Sequence, residues 1–94
     1  MTNERFMGIV SLGLEQFCTK VLGLPTLSLD RFAESLVVSD IIKTGHLYDV
    51  NMSNQAGRMF RFRLFTNADP MLLNVFHIPT GFDKTYKIKN GKLI

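Results

Sequence analysis

Ninety-four residues, 46% of them hydrophobic and 20% charged, describe a globular chain rather than a disordered one. A chain of this size buries about 60–65% of its unfolded surface, enough for one hydrophobic core, so a single domain over residues 1–94 is expected. The formal net charge of +3 is unevenly placed. Residues 1–55 carry four basic and six acidic side chains, a balance of −2, while residues 56–94 carry seven and two, a balance of +5. The second half is thus suited to anionic partners.

With Cys18 as its one cysteine the chain can form no internal disulfide, and nothing asks for an oxidising compartment. The N-terminal apolar run is interrupted by Ser11, Glu15, Gln16, Thr19 and Lys20. It therefore reads as neither a signal peptide nor a membrane span. Asn51-Met52-Ser53 matches a glycosylation sequon, and without a secretory signal it is taken as chance. The expected setting is cytoplasmic, or intracellular viral assembly, with no membrane partner.

Phe6, Val10, Leu14, Phe17 and Val21 recur at helical spacing, joined by Met7 and Cys18. This predicts an amphipathic helix over about residues 4–22, capped by Asn3 and ended by Gly23 with Pro25 beyond. Cys18, on the apolar stripe, is expected to be buried and unreactive. Ile9 and Leu12 lie off the stripe. Gly8 and Gly13 signal either close packing or tolerance. After a connector, Leu24-Pro25-Thr26-Leu27, Ser28 is placed to cap a second helix bearing Leu29, Phe32, Ala33, Leu36 and Val37 on one side. Asp40 would break that apolar face, so the period ends near Val38. A short extra turn capped by Ser39 is expected through Ile41, Ile42 and Lys43, stopped by Gly45; one helix reaching Thr44 is the alternative.

From His46 on the pattern is that of strands. His46–Val50 is read as a first strand, with Asn51–Gly57 as a turn region. Residues 58–66 form the second, where strict alternation puts Phe60, Phe62 and Leu64 on one face and Met59, Arg61, Arg63 and Phe65 on the other. Asn67-Ala68-Asp69-Pro70 is a turn. Met71–Ile78 is a third strand, apolar on both faces apart from Asn74 and His77. Thr85–Lys89 is a fourth, with Tyr86 and Ile88 on one face and Lys87 and Lys89 on the other, and Asn90-Gly91 follows as a tight-turn pair. The fold expected is α+β: two N-terminal helices packed on one face of a four-stranded, mostly antiparallel sheet.

Chemistry-bearing motifs are sparse. No C-x-x-C or H-x-x-x-H spacing exists, and Gly57, Gly81 and Gly91 are isolated turn glycines rather than a phosphate loop. His46 with Asp49, and His77 with Asp83, could be drawn as acid–base pairs, but neither sits in a motif. No catalytic residue, metal ligand or cofactor is expected. Arg58, Phe60, Phe62 and Phe65 fall at the arginine and aromatic positions of the RNA-recognition-motif strand pattern. Met59 and Arg61 stand where that pattern requires glycine and a small residue, and helices preceding strands give the wrong order, so the chain is not assigned to that family.

The expectation for function is a small non-enzymatic protein-binding or assembly module, a subunit of a homo-oligomer or of a larger complex, for instance viral or phage. It would use a basic-apolar sheet face built from Met59, Arg61, Arg63, Phe65, Lys87 and Lys89. Its partner would be another protein or a second copy of itself. The alternative is sequence-tolerant nucleic-acid binding by the same Arg/Lys face.

Overall fold

A computed structural model describes the backbone of residues 1–94 and every side chain other than those of Thr26 and Leu27. Helix α1 spans Asn3–Lys20. Its cap is Thr2 rather than Asn3: the Thr2 Oγ1 accepts from the Arg5 N–H at 3.1 Å. Glu4 in the first turn and Lys20 in the last complement the helix dipole. The helix stops where Gly23 takes φ +66°, a left-handed conformation that a side chain would strain. Helix α2, Thr26–Glu34, begins two residues before Ser28.

The sheet corrects the expected architecture. It has seven strands curled into a half-barrel, not four. They are β1 (Val37–Val38), β2 (Ile42–Thr44), β3 (Leu47–Asn54), β4 (Gly57–Phe65), β5 (Met71–His77), β6 (Phe82–Lys89) and β7 (Lys92–Leu93). From β3 to β7 they follow one another as an antiparallel meander. β1 and β2 both pair with the free side of β3.

Each missed strand has a physical reason. Val37, Val38 and Ile42 are β-branched residues that gain a ladder on β3 instead of a place in a helix. Ser39 does not cap a helical turn. Its N–H donates to the Asn51 carbonyl and its hydroxyl accepts from the Asn51 N–H, both at 2.9 Å, which stitches the gap between β1 and β2. At the other end, Asn90 and Gly91 both have positive φ, 54° and 72°, the conformation of a two-residue hairpin turn. The hairpin returns the chain so that Ile94 and Lys87 exchange backbone hydrogen bonds at 2.8 and 3.0 Å. A bulge between Met52 and Ser53 adds local bend and twist to the β3–β4 pair.

Alternation sets what is buried. Tyr48, Val50 and Met52 of β3, Phe60, Phe62 and Leu64 of β4, Leu73 and Val75 of β5, and Tyr86 and Ile88 of β6 face the helices. They meet Phe6, Ile9, Val10, Leu14, Phe17 and Cys18 of α1. Phe17 packs edge-on to Phe60 with ring centres 5.3 Å apart. Ile9, off the predicted stripe, is part of this core. Gly13 separates the two explanations for a helix glycine. A Cβ there would lie 2.8 Å from Leu73 Cδ2 and 3.1 Å from Val75 Cγ2, whereas one on Gly8 would meet nothing within 4 Å. Gly13 therefore lets α1 approach β5, and Gly8 is simply tolerated. Among the described residues no helix is long and apolar enough to cross a membrane.

Candidate interaction face

With α1 and α2 on the inner side, the residues of opposite parity on β3–β6 form an outer face. Strand register arranges them in rows. In the first, Leu47, Phe65 and Leu72 are successive cross-strand neighbours, and Lys87 comes next. All three apolar residues are half-buried and none packs against the core cluster. In the second row stand Asp49, Arg63, Asn74 and Thr85; in the third, Asn51, Arg61, Phe76 and Asp83.

The polar rows form a hydrogen-bond network both along and between the rows. Asp49 lies directly opposite Arg63, yet both its oxygens go to Arg61. Nη2 donates to Oδ2 at 2.6 Å and Nε to Oδ1 at 3.2 Å, and the bond to this carboxylate raises the Arg61 pKa above its ordinary value. Asn74 is buried, and its side chain is fully engaged. Its amide donates to Asp83 Oδ1 at 2.6 Å and Thr85 Oγ1 at 3.2 Å, while its oxygen accepts from Arg63 Nη2 at a long 3.4 Å. The Arg63 Nε is buried with no acceptor. Arg58, Arg61, Arg63, Phe76, Ile78 and Asp83 line an open groove of about 270 Å³.

The six residues singled out from the sequence are therefore not equivalent. Arg63 and Phe65 are neighbours on the outer face. Arg61 is on it too, but its charge is matched by Asp49. Lys87 and Lys89 are exposed on β6, away from the arginine groove. Met59 is the unpaired extra residue of the bulge and packs partly against the core. Leu47, Leu72, Asn74, Phe76 and Asp83 were not singled out. Only their pairing with neighbouring strands marks them, and pairing is not visible in a single strand's pattern.

The acid–base pairs drawn from sequence do not form. Asp49 is held by Arg61, while His46 lies exposed in the β2–β3 turn. His77 points inward, with Nδ1 2.7 Å from Thr80 Oγ1, whereas Asp83 is bonded to Asn74 on the outer face. Among the described residues no three His, Cys, Asp or Glu side chains come together as a metal site. No protein-family model, curated protein or solved structure matches this chain.

Proposed function

We propose that this chain is a protein-binding and assembly module, without a catalytic role, that associates through the outer face of its sheet. The observation that carries this is the row Leu47–Phe65–Leu72. It is continuous apolar surface across three adjacent strands, with no helix over it and with Arg63 and Lys87 beside it. Apolar residues mixed with arginine are the composition of interface cores rather than of solvated faces. The proposal includes a cytoplasmic setting, supported by the single free thiol of Cys18.

The test is a Phe65→Asp, Leu72→Asp variant. Wild type is expected to sediment as an associated species, and the variant as a monomer with an unchanged circular dichroism spectrum. A monomeric wild type at high concentration, or an unfolded variant, contradicts the proposal.

Nucleic-acid binding is a second reading, favoured by one observation: Phe76 is half-exposed among Arg58, Arg61 and Arg63, an arrangement able to stack a base beside a phosphate. Fluorescence anisotropy with mixed-sequence single strands tests it. Absence of binding at low salt removes it.

A further inference from the structure

We infer that the partner of the outer face is the helical side of a second copy, joined head to tail, with Arg58 and Arg63 of one copy set against Glu15 and Asp30 of the next. The inference rests on the protein-binding reading of the outer face and names its occupant.

Two grooves on opposite sides of the molecule have the same plan and opposite sign. On the outer face, Arg58 and Arg63 flank an apolar floor of Phe76 and Ile78 in a space of about 270 Å³. On the helical side, Glu15 of α1 and Asp30 of α2 flank an apolar floor of Leu14 and Leu29 in a space of about 230 Å³. Glu15, Asp30 and Arg58 are exposed. Among the described residues the one ion pair is Arg61–Asp49, so Arg58 and Arg63 on one side, and Glu15 and Asp30 on the other, have no ion-pair partner within the chain. Arg63 is the sharpest case, because its one side-chain hydrogen bond is a long one to a neutral amide. A carboxylate presented from outside gives that guanidinium the charged acceptor it lacks.

The observations favour a second copy over a polyanion. Arg58 and Arg63 converge on one groove instead of forming a track, and Asp83 sits on its rim. That suits one or two carboxylates rather than a phosphate backbone. The chain itself supplies the complement, with −2 on residues 1–55 and +5 on residues 56–94. Because the mating surfaces are different and lie on opposite sides, the contact is heterologous. It leaves one free groove at each end of every pair and so propagates to rings or filaments.

The experiment mixes two variants, each disabling one surface by neutralisation: Arg58→Ala, Arg63→Ala for the groove and Glu15→Gln, Asp30→Asn for the cleft. Sedimentation velocity is run at roughly 50 and 500 mM salt, with circular dichroism on each variant. Wild type is expected to form species beyond a dimer at low salt and to fall back toward the 10.7 kDa monomer at high salt. Each variant alone should be a folded monomer, and an equimolar mixture should stop at a one-to-one dimer. Wild-type association by either variant alone, or a mixture that stays monomeric or grows past a dimer, overturns the inference. An association that ignores salt and both neutralised variants, but is lost in Phe65→Asp, Leu72→Asp, overturns the head-to-tail pairing and leaves the outer face as the interface. A wild type that is monomeric at both salts overturns both.

Discussion

The His77 ring lies 4.6 Å from that of Phe17, inside the core, with Phe60 on it as well at 4.9 Å. Burial there lowers the imidazole pKa from its ordinary 6.5, because the charged form loses its water. In the unfolded chain His77 takes up a proton near pH 6.5; in the folded protein it does so only at lower pH. The unfolded state therefore binds more protons across that interval, and stability present above pH 6.5 is lost as pH falls toward the folded-state value. Urea melts from about pH 7.5 to 5 should show the midpoint falling with pH, and His77→Leu should flatten that slope. An unchanged slope in the variant would assign it to other groups.

Phe62→Ala should cost about 3–5 kcal/mol, since the side chain is fully buried and its removal leaves a cavity against α1. Arg63→Ala, one residue on and on the opposite face, should cost about 1 kcal/mol, the scale of its one long hydrogen bond to Asn74. Denaturant melts of the pair read out the strand's facing directly. A severe Arg63 effect with a mild Phe62 effect would reverse it.

The two helix glycines should respond in opposite directions. Gly8→Ala gains helix propensity with open space around the new methyl, and should stabilise by up to about 1 kcal/mol. Gly13→Ala gains the same propensity but drives a methyl into Leu73 and Val75, where overpacking costs about 1–3 kcal/mol. Thermal melts should thus move up for Gly8→Ala and down or nowhere for Gly13→Ala.

Cys18 should resist thiol reagents in the native protein. It is buried, and burial pushes its thiol pKa up to about 11, so little reactive thiolate exists at neutral pH. Labelling at pH 8 should proceed only through opening of the fold and accelerate sharply in denaturant. Equal rates in both conditions would place Cys18 outside the core.

The long, strongly patterned elements were legible in the sequence because packing imposes their periods. The alternation through Phe60, Phe62 and Leu64 survives as one buried face, as does the helix stripe from Phe6 through Val10 and Leu14 to Phe17, while Val21, its expected last member, is exposed beyond the helix end. Short edge strands were not legible. Two or three residues carry no period, and Val37, Val38 and Ile42 are exposed, so no apolar alternation marks them. The outer face was half legible. Its arginines could be placed on one side of a strand, but whether an arginine is free depends on register. Asp49 sits across from Arg63 and neutralises Arg61, a diagonal choice set by the three-dimensional ladder. Met59 departs from the simple alternation because it is itself the extra residue of the bulge: Met52 pairs with Phe60 and Ser53 with Arg58, which leaves Met59 without a partner on β3.

The glycine at position 13 has a wider consequence. By drawing α1 onto β5 it helps leave the inner side of the sheet packed with Phe6, Phe17, Phe60 and Phe62, none of which retains any exposure. A cargo molecule could enter there only by levering out the helix and unmaking the core. This half-barrel is thus built as a tile and not as a vessel: its concave side is filled by its own side chains.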